Sequence, residues 1–187
     1  MLKGGISMVA ADTKTLLLKS TSRIISERGF GRLTLDAVCK EAGVSKGGLL
    51  YHFQNKEALI QGLNYYVLQN TQQYIHAEEK NSRSFTEAYL RATIKSLDAS
   101  NEDLKIFPGL IASLSESGEL LSEWKQEYEN IQQRLEADEV SKEFAHIVRL
   151  VGDGLWFAQM FDLSPIKTDD ALRLANYLLD LLEKENE

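Results

Sequence analysis

Between Leu33 and Phe53 the chain reads LTLDAVCKEAGVSKGGLLYHF, and this run limits its fold more than any other. Leu35, Val38 and Ala42 recur at helical spacing, so the first half predicts a short helix with one apolar face. Thr34 is placed to cap its start and Gly43 to end it. Val44 fills the turn, Ser45 is placed to cap a second helix, and Leu49, Leu50 and Phe53 offer apolar positions for packing that helix. Lys46, Tyr51 and His52 ride on it as well. Two short helices joined by a Gly-containing turn make a helix-turn-helix, the shape that enters a DNA major groove.

The polar chemistry of the segment suits that task. Lys46 and Lys56 can meet phosphates, Tyr51 and His52 can donate hydrogen bonds, and Thr34 and Ser45 sit at helix N-termini, where backbone N–H groups favour an anion. Gly47 and Gly48 disfavour a helix interior by about 0.5 to 1 kcal/mol each against Ala, which makes sense if backbone presses close to DNA. The plainer alternative is a loosened connector. The candidate DNA-contacting set is therefore Thr34, Ser45, Lys46, Gly47, Gly48, Leu49, Tyr51, His52 and Lys56.

Two flanking motifs extend the run: ERGF, from Glu27 to Phe30, ahead of it, and Lys56, Glu57, Ala58 and Leu59 shortly after the YHF that closes it. Together they resemble the N-terminal domain of the tetracycline repressor (TetR) family of transcriptional regulators, over residues 12–60. Val151 to Phe161, VGDGLWFAQMF, resembles the eighth helix of members that bind cationic multidrug ligands. The resemblance implies a recognition helix from Ser45 to His52 in the major groove, with Thr34, Tyr51, His52 and Lys56 fixing it to the DNA backbone.

Charge divides the chain in a compatible way. Residues 1–53 hold eight Lys/Arg and four Asp/Glu, a balance of +4, whereas the remainder carries −11 of the total −7. A basic head on an acidic body fits a nucleic-acid module joined to a unit with another task. At 187 residues and 43% hydrophobic content the chain can build a sizeable core.

The periodicity predicts helices throughout, with no strand alternation or repeat, and hence an all-α fold: a flexible N-terminus over 1–11, a three-helix DNA-binding domain over 12–55, and a helical ligand-binding and dimerisation domain over 56–187. Leu17, Thr21 and Ile24 share a face of a first helix over 12–28, stopped by Gly29. Further helices are predicted at 56–80, 84–99, 103–114 (broken by Pro108-Gly109), 119–136, 140–162 and 168–184, with Ser164-Pro165 ahead of the last.

The last two helices predict a homodimer. Phe144, Val148, Val151, Leu155 and Ala158 make one stripe, and Trp156, Phe157, Met160 and Phe161 spread apolar surface around the remaining circumference. One packing face does not account for that, so a second faces a partner. Leu172, Ala175, Leu179 and Leu182 give the final helix a similar stripe, and two such helices per subunit make a four-helix interface. A large monomeric core is the alternative.

Asp153 precedes Trp156, Phe157 and Met160 on one helical face, a carboxylate with rings and a thioether that suits a lipophilic cation through charge pairing and cation–π attraction. Arg149, four residues earlier, can instead pair with Asp153 within the helix. Tyr65, Tyr66, Phe107, Trp124 and Tyr128 are the aromatic residues available to complete such a cavity; a neutral aromatic compound or acyl chain also suits these walls. The candidate ligand set is Tyr65, Phe107, Trp124, Tyr128, Asp153, Trp156, Phe157 and Met160.

Enzyme chemistry has little to stand on. The three histidines are far apart, no HExxH, CxxC, Walker loop or GxSxG occurs, and Glu143 with His146 is a lone ExxH where a di-iron bundle needs two. No cofactor or metal is expected, and Cys39 reads as a packed small side chain. With no long apolar run and no apolar stretch in MLKGGISMVA, a soluble, cytoplasmic chain without membrane contact is expected. The expected partners are a palindromic double-stranded operator, a small-molecule effector that releases the protein from it, and a second copy. The runner-up is a helical small-molecule binding or interaction protein whose helix-turn-helix is only structural.

Overall fold

Gly29 (φ 83°) and Gly43 (φ 65°) hold the backbone in positive-φ conformations that other residues adopt at a cost, and each stops a helix. The computed structural model describes residues 3–97, 118–160, 163 and 166–185; among them are eight α-helices, one 3-10 turn and no strand. The helices are α1 (Lys3–Arg28), α2 (Leu35–Ala42), α3 (Lys46–His52), α4 (Lys56–Glu79), α5 (Phe85–Ser96), α6 (Gly118–Glu136), α7 (Lys142–Met160) and α8 (Thr168–Glu185), with the 3-10 turn at Phe30–Arg32. The helix predicted over 103–114 and the Ser164-Pro165 break fall outside the described residues. α1 begins well ahead of the predicted 12, because no proline precedes Asp12 and Gly4 and Gly5 only weaken a helix.

The chain forms two compact units. In the first, Leu17, Thr21 and Ile24 of α1 are fully buried, and Val38, Leu49, Phe53, Leu59 and Leu63 carry the core through α2, α3 and the start of α4. The unit runs to Val67, inside α4, rather than ending at the predicted 55, since the first turns of α4 bury Leu59, Ile60, Leu63 and Val67. Salt bridges from Arg23 (3.3 Å) and Arg28 (2.9 Å) to Glu41 tie α1 to α2, and those hydrogen bonds hold the Glu41 carboxyl below its usual range.

The second unit comprises the rest of α4, α5, α6 from Ser122 onward, α7 and α8. α5 packs on both α7 and α8, around Phe85, Tyr89, Leu90, Leu135, Phe144, Val148, Leu178 and Leu182. A smaller cluster joins Leu97, Leu155 and Ala171. Ser84 caps α5 from its own end, accepting from the Glu87 N–H at 3.1 Å. Asp138, beyond α6, adds a clamp: its carboxylate accepts from Phe85 N (3.3 Å), Thr86 N (2.5 Å) and Thr86 Oγ1 (2.6 Å). The two N–H groups are orphan donors of a helix N-terminus, satisfied here by a residue far along the chain.

Candidate nucleic-acid interface and aromatic cluster

The short helices of the first unit owe their limits to the predicted caps. Thr34 Oγ1 accepts from Ala37 N (3.1 Å) and Ser45 Oγ from Gly48 N (3.1 Å), each contributing about 1 kcal/mol. After Gly43, Val44 N donates to the Cys39 carbonyl (3.1 Å), closing the last turn of α2. Leu49 and Phe53 pin α3 from beneath, and its outer side presents Tyr51, 80% exposed, and Leu50. Leu50, predicted as a packing position, points outward because it is one residue, about 100° of helix, away from Leu49. Leu49, predicted to touch DNA, is fully buried, and it packs the helix rather than reaching a groove.

The glycine pair divides by role. A Cβ at Gly47 would meet nothing within 4 Å, whereas one at Gly48 would lie 2.9 Å from Val44 Cγ1 and 3.3 Å from Ser45 Oγ. Gly48 is therefore required by the turn it closes, and only Gly47 leaves open backbone at the surface. Lys46 pairs with Asp36 of α2 at 2.9 Å, which raises its pKa, and the Lys56 ammonium lies 4.3 Å from the centre of the Phe30 ring. His52, half-buried, meets Tyr51 edge-on at 5.0 Å. Asn55 caps α4 by accepting from Ala58 N at 2.7 Å. Asp36, Phe30 and Asn55 are neighbours that periodicity alone does not identify.

In the second unit, Asp153 and Arg149 of α7 form the centre of a mostly buried cluster with Tyr89 of α5 and Tyr128 of α6. Arg149 Nε donates to Asp153 Oδ2 at 3.0 Å, the pairing that the sequence spacing offered as the plainer alternative. Tyr89 OH donates to Asp153 Oδ1 at 3.2 Å, and the Arg149 guanidinium lies 4.1 Å from the Tyr128 ring centre and 5.6 Å from that of Tyr89. Gly152 makes room for Tyr89, since a Cβ there would lie 2.8 Å from Tyr89 Cε1. Burial pushes the Asp153 carboxyl up against the opposing pull of Arg149, and burial raises both phenols, Tyr128 to about 12.

Trp124, one turn before Tyr128, and Trp156, three residues after Asp153, extend the cluster, with ring centres 6.3 Å apart; Phe157 is edge-on to Trp156 at 5.8 Å and partly exposed. Of the predicted ligand set, Trp124, Tyr128, Asp153, Trp156 and Phe157 are thus adjacent. Tyr65 is exposed on α4, and Phe107 and the side chain of Met160 lie outside the described residues. Tyr89 and Arg149 belong to the cluster but not to the predicted set; Tyr89 reads in sequence as one more apolar-face residue of α5. The cation reading of Asp153 meets an obstacle, because its charge is already answered within the chain by Arg149.

Among the described residues no group of three or more His, Cys, Asp and Glu is arranged for a metal ion, and His146 contacts Glu136 (3.0 Å). No described helix is long and apolar enough to cross a membrane. A capped helix-turn-helix braced by α1, followed by an all-helical unit, defines a DNA-binding transcriptional regulator.

The family is established by comparison with known proteins. Residues 17–63 match the model of bacterial regulatory proteins of the tetR family, and residues 83–183 match the tetracyclin repressor-like C-terminal domain. The chain belongs to the TetR family of transcriptional regulators. It is 43% identical to the regulator UidR of Escherichia coli over 54 residues, 29% of this chain and 28% of UidR, so the match spans little more than a quarter of that relative. The regulator BetI of Paraburkholderia phytofirmans is 25% identical over 177 residues, covering 89% of this chain and 91% of BetI. The fold is similar to that of a TetR-family regulator from Rhodococcus sp. (TM-score 0.70, 20% identity, 91% of this chain and 98% of the other). It is also similar to that of the multidrug binding protein EbrR complexed with malachite green (TM-score 0.64, 17% identity, 88% and 96%).

Proposed function

We propose that the protein is a dimeric repressor that reads a palindromic operator with α3 and leaves it when a small lipophilic effector binds in the aromatic cluster of the second unit. The observation that carries the DNA part is the outer side of α3. Exposed Tyr51 and the open backbone of Gly47 are presented by a helix pinned by buried Leu49 and Phe53 and capped by Ser45. Thr34, Lys46, His52 and Lys56 contact the phosphate backbone; Lys46 then exchanges Asp36 for phosphate.

Support for the dimer comes from α7 and α8. Ile147, Leu150 and Phe157 are exposed along one side of α7, with open Gly154 in the same register, and Tyr177 is exposed on α8. Apolar side chains at such spacing on a surface helix fit a helix–helix seam. A second copy supplies the other half-site reader, about 34 to 36 Å away on the duplex.

The effector acts through α4, which contributes to both units. A coupling of about 1 to 3 kcal/mol weakens operator binding 5- to 150-fold. EbrR, a fold relative complexed with malachite green, makes a lipophilic aromatic effector a natural first candidate.

The test is to select duplexes from a randomised pool with the pure protein and measure affinity for the winner against salt. Enrichment of a palindrome, a steep fall of affinity with salt and a marked loss in Tyr51→Ala are expected. No enrichment, or binding indifferent to salt, defeats the proposal. For the dimer, Leu150→Arg should sediment as a monomer and lose operator affinity, and an unchanged sedimentation coefficient removes α7 from the interface.

A further inference from the structure

One buried donor stands out in the aromatic cluster. Among the described residues, Arg149 Nη1 is buried and has no hydrogen-bond partner, although the side chain is only 7% exposed. A guanidinium stays charged at any ordinary pH, and folded proteins rarely leave a buried donor of this kind unanswered. Its neighbours are engaged with one another: Asp153 accepts from Arg149 Nε and from Tyr89 OH, so the Tyr89 hydroxyl proton is committed and the carboxylate has no donor to offer a ligand's oxygen.

We propose that the effector is a planar aromatic compound bearing an uncharged oxygen acceptor, such as a ketone or quinone carbonyl, which Arg149 Nη1 hydrogen-bonds while Trp124, Tyr128 and Trp156 receive the ring. This deepens the effector-site reading above and rests on it. The lack of charge follows from the Arg149–Asp153 pair. Arg149 and Asp153, 3.0 Å apart, already neutralise one another, so a charged ligand loses its hydration here without gaining a net counter-charge, and a neutral acceptor loses far less. The aromatic character follows from the ring array: Tyr128 lies against the guanidinium, and Trp124 is 6.5 Å from Tyr128 and 6.3 Å from Trp156.

Four probes built on one naphthalene ring separate the possibilities: β-acetonaphthone, β-ethylnaphthalene, β-naphthoate and β-naphthylmethylammonium, titrated by calorimetry. The chain's two tryptophans are both in the cluster, so intrinsic tryptophan fluorescence reports binding there independently. The ketone is expected to bind about ten-fold or more tighter than the ethyl compound, and tighter than either charged probe. In Arg149→Lys, which keeps a positive charge for Asp153 but has no Nη1, the ketone-to-ethyl ratio is expected to fall to about one. Circular dichroism checks that this variant is folded; if it is not, the series on the native protein decides alone. Equal affinity for ketone and ethyl compound, or a charged probe binding tightest, overturns this inference and leaves the effector site standing. No heat and no fluorescence change with any of the four overturns the effector site itself, and this inference with it.

Discussion

Gly62 of α4 lies directly against the ring of Phe53: a Cβ at Gly62 would come within 2.5 Å of Phe53 Cε1. Phe53 closes α3 and is 4% exposed, so its ring has little freedom to retreat. Helix propensity favours Ala over Gly by about 1 kcal/mol, while overpacking a filled core costs about 1 to 3 kcal/mol. Gly62→Ala should therefore be neutral to mildly destabilising, and Gly62→Val clearly destabilising, by about 2 kcal/mol. Chemical denaturation of both variants checks this, and a Val variant as stable as the native protein shows that the ring is not held as described.

The two glycines of α3 should respond in opposite ways. Gly48→Ala forces a Cβ against Val44 and the Ser45 cap, and is expected to lower stability by about 1 kcal/mol. Gly47→Ala meets no atom and is expected to hold or raise stability by up to about 1 kcal/mol while weakening operator binding. Thermal melts paired with anisotropy on the selected duplex measure both, and equal operator affinity for Gly47→Ala removes that residue from the interface.

Ser45 is asked to cap a helix and to face phosphate, and Ser45→Asp separates the tasks. Aspartate caps as well as serine, so the melt should be unchanged, whereas Ser45→Ala should lose about 1 kcal/mol. Only the Asp variant places a negative charge at the proposed DNA surface, so it should bind operator more weakly than Ser45→Ala. The reverse order of affinities counts against the assigned orientation of α3.

Asp153→Asn leaves the buried Arg149 without its counter-charge and is expected to destabilise the chain by about 3 kcal/mol. Replacing the pair together, Arg149→Met with Asp153→Leu, should cost much less, because no lone charge remains. Urea unfolding midpoints distinguish the cases, and an unshifted midpoint in Asp153→Asn contradicts the pairing.

Alkaline titration should reveal the same cluster. The folded pKa of Tyr128 is pushed up to about 12 and that of Tyr89 is raised too, above the ordinary value of 10.0. Between those values the folded state keeps protons that the unfolded state has lost, so stability falls as pH rises through that window. Tyrosinate absorbance should show Tyr89 and Tyr128 ionising late or together with unfolding. Ionisation of Tyr89 and Tyr128 near the ordinary value of 10.0 in the folded protein rules out the buried cluster.

Legibility in the sequence tracks how local each signal is. Thr34, Gly43, Ser45 and Gly29 act on groups within five residues, and their effects can be read from neighbouring letters. Leu50 could not be, because a helix as short as α3 has too few apolar positions to distinguish adjacent ones. Arg149 and Asp153 were readable as a pair at one-turn spacing, but Tyr89, 64 residues from Asp153, was not. The two roles of Gly47 and Gly48 were equally hidden, since only Val44 in place shows which one the turn requires.

The clamp of Asp138 on the first turn of α5 has a consequence for the order of events at the ribosome. Phe85 and Thr86 leave the exit tunnel about 50 residues before the carboxylate that holds their N–H groups, at synthesis rates of about 5 to 20 residues per second. For several seconds α5 has Ser84 and its own propensity to rely on. Completion of the second unit is thereby tied to the later arrival of α6 and the turn behind it, and a nascent chain stalled before Asp138 carries an unfinished helix.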